Sequence, residues 1–144
     1  MKKMLVAMAL LVTASFVVIG SEPQSAKETA VRSTPAYGML VMRKVAVEAD
    51  LADLTNKLTA THPSVINKRF ELRAINREMK KLVAVENASE TRLSGTVGNL
   101  ILQRVALEVQ INYLASHVTF KHPDLKKLRV ELTALNREIQ NILS

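Results

Sequence analysis

The chain of 144 residues has no cysteine, no tryptophan and only 3% aromatic residues. The absence of cysteine excludes a disulfide framework, a thiolate metal site and a cysteine nucleophile. The apolar residues make up 48% of the chain and are therefore mainly aliphatic, which favours helix-on-helix packing over an aromatic core. Because no covalent crosslink is available, packing alone must stabilise the fold.

Acidic residues are in the minority, with 13 Asp and Glu against 20 Lys and Arg, a formal charge of +7. This excess would favour anionic partners such as phospholipid headgroups, acidic glycans or acidic proteins. It is equally compatible with ordinary solvated helices, so both interpretations stay open at this point.

Residues 1–20 have the pattern of a secretory signal, with Lys2 and Lys3 before an uncharged run from residue 4 to residue 20. The sequence thus predicts export to the bacterial periplasm. Either the segment is cleaved after Gly20, or residues 4–20 remain as an anchor in the inner membrane. Residues 21–37 are polar and contain two prolines, which predicts a flexible linker.

The rest of the chain is a tandem duplication. With an offset of sixty residues, positions 32–83 align without a gap with positions 92–143. The identical pairs include Gly38 with Gly98, His62-Pro63 with His122-Pro123, and the run 76–78 with the run 136–138. We therefore expect helical repeat 1 at 38–83, a connector at 84–97 and helical repeat 2 at 98–144.

Each repeat carries two segments whose apolar residues follow heptad spacing, which is typical of helices that pack along one another. The segments meet at the His-Pro pairs, and proline favours the start of a helix while disfavouring helical geometry just before it. The expected fold is all-α, with two tandem amphipathic hairpins and four coiled-coil-like helices. The alternative is two long helices, each kinked at its proline, that form a single hairpin.

The first segment of each repeat has a second apolar stripe beside its heptad seam. A helix that is apolar on two sides is usually buried between neighbours. We therefore expect the two first segments to lie centrally, either against each other or against another subunit. In the second case the stripe is an oligomer face, which comprises Val41, Val45, Ala52, Ile101, Val105 and Val109.

The residues that could carry chemistry are few. His62 and His122 precede prolines at equivalent turns, so we expect His62, Pro63, His122 and Pro123 to be structural rather than metal-binding. No Gly-rich phosphate loop, nucleophile elbow or zinc-type histidine pair occurs. The sequence predicts a protein without catalytic residues, metal or cofactor. An enzyme would need a polar pocket within the bundle, and the equivalent residues Lys44 and Arg104 are the only paired charges at seam positions.

Basic residues cluster around and after the two turns, and they could bind an acidic glycan or lipid headgroups. Nucleic acid is not expected as a partner, because the chain is predicted to be exported and its aromatic residues are too scattered for base stacking. The candidate anion-binding residues are Lys68, Arg69, Arg73, Lys126, Lys127 and Arg129.

The turn residues Thr61-His62-Pro63-Ser64-Val65, and again Lys121-His122-Pro123-Asp124-Leu125, resemble the periplasmic coiled coil of the chain-length-determinant polysaccharide co-polymerases. The resemblance covers the two helical units only. It implies an oligomeric, membrane-linked scaffold in polysaccharide assembly. The chain lacks that family's second membrane span, its proline-rich segment and its kinase portion.

Together these patterns predict a non-enzymatic scaffold or interaction protein of the cell envelope that associates with itself or with an envelope partner. The alternative is a basic periplasmic holdase-type chaperone for unfolded envelope proteins.

Overall fold

A computed structural model describes residues 22–85, 89 and 91–144. The predicted signal segment, residues 1–20, lies outside this range. The described residues form five α-helices and no strand: α1 Glu22–Arg32, α2 Pro35–Lys57, α3 Pro63–Ala84, α4 Gly95–Ala115 and α5 Pro123–Leu143. The predicted all-α class is confirmed.

The two repeats form the two expected hairpins. Helix α2 ends at Lys57, Leu58 is extended, and α3 begins at Pro63 and packs back against α2. Helices α4 and α5 form the second hairpin in the same way. The alternative of a long helix kinked at proline is wrong, because the chain reverses direction at both His-Pro pairs.

The linker predicted at 21–37 is helical over most of its length, so the prediction of a flexible tether was wrong for these residues. Val31 and Ala36 are fully buried, and α1 lies against α2 and α3. The two prolines that suggested a linker stand in the first turn of α1 and at the start of α2. Proline is well tolerated there, because the first N–H groups of a helix have no intrahelical partner.

Helix α4 is at the centre of the fold, in contact with α2, α3 and α5, whereas α5 lies against α4 alone. The backbones of α2 and α4 come closest at Gly98, where an added Cβ would lie 3.0 Å from Ala36 Cα and 2.9 Å from Met39 Sδ. The main chain also joins the two repeats, because Ala36 N–H donates to the carbonyl of Leu93 at 3.0 Å. Only a glycine allows so close a crossing without displacement of its neighbours.

The heptad seams form the core as expected. Leu40, Val47, Ile75, Leu82 and Ile139 are essentially fully buried, and the other seam residues are at least half-buried. Aliphatic burial of this kind contributes about 25 cal/mol per Å² removed from water, so the seams are the main source of stability in a chain without crosslinks.

Candidate functional site

Equivalent apolar stripes on α2 and α4 have different environments. On α2 the stripe is accessible, with Val41 37% and Val45 59% exposed. On α4 the equivalent Ile101 and Val105 are 1% and 2% exposed. A Cβ at Gly38 would meet nothing within 4 Å, in contrast to the crowded position of Gly98. The duplication has therefore produced two copies of one helix surface, of which the described residues cover only the second.

The predicted oligomer face is thus split between two places. Val41, Val45 and Ala52 are exposed on α2, Ile101 and Val105 belong to the core, and Val109 is half-buried. The expectation that the two first segments lie against each other agrees with the contact between α2 and α4. As an oligomer face, only the α2 part of the stripe is accessible, because the stripe on α4 is largely buried. Met42, 68% exposed, extends the accessible stripe. We call the half-buried Gly38 and the exposed residues Val41, Met42, Val45, Ala49 and Ala52 the α2 face.

Buried charges join α3, α4 and α5. Arg104 of α4 is 6% exposed, and its guanidinium donates to the carboxylate of Glu78, which is 1% exposed. Its Nη1 lies 3.3 Å from the Asn136 side-chain oxygen on α5. Burial lowers the pKa of Arg104 from its usual high value, but arginine remains charged in proteins. The Arg104 Nε is buried and has no hydrogen-bond partner among the described residues.

Two more cations surround the same carboxylate. Lys81 Nζ is 3.1 Å and Arg77 Nε is 3.2 Å from Glu78 Oε1. Arg77 also pairs with Glu108 of α4. The buried carboxylate of Glu78 therefore contacts three basic side chains, of which Arg77 and Lys81 are partly exposed to solvent.

A cavity of about 450 Å³ lies beside this cluster, between α3, α4 and α5. The charged residues on its wall are Lys81, Arg92 and Arg104, with Glu78 as the acid. Its aliphatic wall is formed by Leu82, Val85, Ile101, Ile139 and Leu143. The volume is within the range of about 300 to 1,000 Å³ that small-molecule sites usually occupy. We call this space the α3–α5 cavity.

Among these residues only Arg104 was singled out from the sequence, as a charge at a seam position. Its equivalent, Lys44, is half-buried and pairs with Glu48 of its own helix at 3.1 Å. Lys81 and Arg92 were missed. Lys81 was hard to find because its equivalent in repeat 2 is the uncharged Asn141. Arg92 has a cationic equivalent in Arg32, but it lies in the predicted connector, outside the heptad pattern.

The predicted anion-binding residues do not form one site. Lys68 is engaged by Asp50 at 2.8 Å and by Glu71 at 3.3 Å. Arg129 lies over the ring of Phe120, with 3.9 Å between its guanidinium carbon and the ring centroid. The α3 and α5 clusters are on helices that do not lie against each other. Arg69 donates to the Ala60 carbonyl, Lys127 pairs with Glu131, and Arg73 and Lys126 are exposed.

Both His-Pro pairs stand at the starts of helices. The Nδ1 of His62 accepts from Ser64 N–H at 3.2 Å, and that of His122 accepts from Asp124 N–H at 3.3 Å. Each imidazole thus caps the helix that its proline begins. A capping nitrogen with this geometry must be unprotonated, which fixes the proton of a neutral ring on Nε2.

The heptad pattern places Glu71, Glu78, Glu131 and Glu138 beside the seams, where acids are expected to pair with basic residues of a neighbouring helix. Such interhelical ion pairs occur in part. Glu71 accepts from Arg43 Nε of α2 at 2.8 Å, and Glu78 pairs with Arg104 of α4. Glu131 instead pairs with Lys127 within its own helix, at 3.9 Å. Glu138 is exposed. The expected acid-against-base arrangement therefore applies to α3 only, because α5 has a single neighbouring helix.

Within the described ranges there is no cluster of three or more potential metal-ligating side chains. None of the described helices is long and apolar enough to cross a bilayer. Comparison with protein-family models, curated proteins and solved structures gives no match for this chain.

Proposed function

We propose that this protein is a non-enzymatic helical scaffold of the bacterial cell envelope that associates with a second copy of itself through the α2 face. The observation that carries the proposal is the contrast between Val45, which is 59% exposed, and its equivalent Val105, which is 2% exposed. On α4, this duplicated surface is covered by the neighbouring helices of the same chain. An uncovered copy on α2 is suited to the same kind of neighbour.

The α2 face has the dimensions of a helix-packing surface. It extends over residues 38–52, about 20 Å at 1.5 Å rise per residue. Gly38 lies near one end and has open space above it, so a second helix can approach its backbone closely. Two α2 faces related by a two-fold axis would bury each other's Val41, Met42 and Val45, which is the self-complementary geometry of most homodimers.

The absence of cysteine makes a direct test possible in the full-length chain. We expect Val45→Cys to form an intermolecular disulfide on mild oxidation at low micromolar concentration. The matched control is Val130→Cys on α5, since Val130 is 69% exposed and lies outside the α2 face. Monomeric Val45→Cys, or equal crosslinking of both variants, would refute self-association through α2.

A second measurement separates the scaffold from the holdase-type chaperone. A scaffold should leave the aggregation of a denatured outer-membrane protein unchanged, whereas a holdase should suppress it. If suppression occurs and is lost in Val45→Glu but kept in Val130→Glu, the α2 face binds unfolded clients and the scaffold proposal fails.

A further inference from the structure

The α3–α5 cavity has a feature that helix packing alone does not require. An interior seam between amphipathic helices is normally filled with aliphatic side chains at close to crystal density. Here a space of about 450 Å³ stays open beside Ile101 and Ile139, which are themselves 1% and 0% exposed. The cavity is therefore partly walled by the core and is not a groove on an outer face.

The charge of the wall is unbalanced. Lys81, Arg92 and Arg104 supply three positive charges, and Glu78 supplies one negative charge. Arg92 Nη1 also donates to the main-chain oxygen of Ser144 at 3.3 Å. Lys81 and Arg104 share the single carboxylate of Glu78, which leaves an excess of positive side-chain charge at the wall. Such an excess attracts anions, because the dielectric constant beside a partly desolvated surface is lower than in water.

Arg104 is the most deeply buried cation of the cavity wall. It lines the cavity, it is more than nine-tenths buried, and its Nε has no partner among the described residues. Buried polar groups in proteins nearly always have a hydrogen-bond partner. This N–H is buried beneath the cavity wall, so Arg104 contributes its positive charge to the cavity, and its Nε–H is not a contact of a bound molecule.

Most of the uncharged part of the lining is aliphatic. Leu82, Val85 and Leu143 line the space together with the two isoleucines. A small hydrophilic anion would leave the aliphatic side chains exposed to water. A neutral hydrocarbon would supply no negative charge to the cations. A molecule with an anionic head and an unbranched alkyl chain matches both walls.

We propose that the α3–α5 cavity binds a single-chain anionic amphiphile, with its head at Lys81, Arg92 and Arg104 and its alkyl chain along the aliphatic wall. This inference goes beyond the proposed scaffold function and does not depend on the α2 face. The head is a carboxylate or a phosphate, since lysine and arginine bind both.

The test is equilibrium dialysis of the full-length protein against radiolabelled dodecanoate below its micelle concentration. We expect saturable binding at one site per chain. Affinity should rise by up to about fourfold per methylene from octanoate to dodecanoate, as expected for burial of alkyl surface. The same dialysis with dodecyl phosphate tests whether the cavity binds a phosphate head group. Weaker binding of both anions than of dodecanol or dodecyltrimethylammonium, or equal binding of acetate or inorganic phosphate, would overturn the proposal.

Variants locate the site. Arg92→Gln and Lys81→Gln change residues whose side chains are largely accessible, so the fold should persist, and each should weaken dodecanoate binding about tenfold. Arg73→Gln and Lys126→Gln remove the same charge from exposed positions outside the cavity wall and should bind as the unmodified protein does. Circular dichroism confirms folding of each variant. If all four variants bind alike, the ligand is held elsewhere and the proposal fails.

Discussion

Arg104 of α4 and Glu78 of α3 form an ion pair in which both residues are more than nine-tenths buried. Transfer of two charges from water into a protein interior costs several kcal/mol per ion, and their attraction repays this only when the remaining polar atoms also find partners. Glu78 has such partners in Lys81 and Arg77. For Arg104 the pairing is incomplete: its Nη1 donates to the Asn136 side-chain oxygen, but its Nε has no partner among the described residues.

Arg104→Met should destabilise the protein by about 3 kcal/mol, because Glu78 would remain buried without its closest counter-charge. The double variant Arg104→Met/Glu78→Met should recover most of this loss. Urea unfolding followed by circular dichroism measures both. The matched control is Lys44→Met, the equivalent substitution in repeat 1, which removes a pair within one helix and should change stability by less than about 1 kcal/mol. Equal effects of Arg104→Met and Lys44→Met would show that the buried pair contributes nothing specific.

A separate prediction concerns the contribution of the histidine caps to stability. His122→Ala removes the acceptor for Asp124 N–H and should cost about 1 kcal/mol of unfolding free energy. His122→Asn supplies another side-chain acceptor at the same position and should restore most of the loss. The same pair of substitutions at His62 tests the equivalent cap of α3. A result in which Asn is no better than Ala at both positions would mean that the imidazoles act by packing alone.

The ion pair of Asp50 and Lys68 links stability to pH. The hydrogen bond from Lys68, reinforced by its charge, lowers the pKa of Asp50 below its ordinary value of 3.8. For Lys68 the largest single effect is burial, which lowers its pKa, but Asp50 and Glu71 together outweigh it and leave the pKa above 10.5. A lowered carboxyl pKa stabilises the fold above the unfolded-state value, and this contribution is lost as pH falls through the folded-state value.

We therefore expect Asp50→Asn to lower the urea midpoint at neutral pH and to have a progressively smaller effect as the pH falls below about 4. In a Lys68→Met background, Asp50→Asn should have little effect at pH 7 or at pH 3, because the residue that lowers the pKa of Asp50 is absent. A loss of stability in Asp50→Asn that is the same at pH 3 and pH 7 would contradict this linkage.

The parts of the fold that follow from periodicity could be predicted from the sequence. Heptad spacing predicted the seams that contain Leu40 and Ile139, and proline placement predicted the helix starts at Pro63 and Pro123. Helix α1 could not be predicted in this way, because its few apolar residues give no stripe. It is stabilised by contacts such as the burial of Val31, which are tertiary and not visible as a local pattern.

The sequence pattern also could not predict the difference in burial between the two repeats. Identical spacing places Val45 and Val105 at equivalent positions, yet only one of them is buried. Both α2 and α4 are in contact with three helices. The neighbours of α4 are the long helices α2, α3 and α5, whereas one of the neighbours of α2 is the 11-residue α1. The α3–α5 cavity depends on the same asymmetry, since it requires residues of α3, α4, α5 and the connector together. A pattern repeated along the chain predicts such surfaces, but it does not indicate which copy is covered.

The equivalent glycines Gly38 and Gly98 test this asymmetry directly. Alanine favours helix over glycine by about 1 kcal/mol, so Gly38→Ala should stabilise the monomer because its new methyl group meets nothing within 4 Å. Gly98→Ala gains the same helix propensity, but its Cβ would lie 3.0 Å from Ala36 Cα, a backbone atom that cannot rotate away. The helices must then separate, and overpacking of this kind costs about 1 to 3 kcal/mol.

We therefore expect opposite signs for the two substitutions in urea unfolding experiments at a concentration low enough to keep the chain monomeric. At higher concentration Gly38→Ala should weaken the Val45→Cys crosslink if a second α2 approaches as closely as α4 does. Stabilisation by both alanines would show that α2 and α4 do not cross closely at Gly98, and the arrangement of the two hairpins would have to differ from the one described.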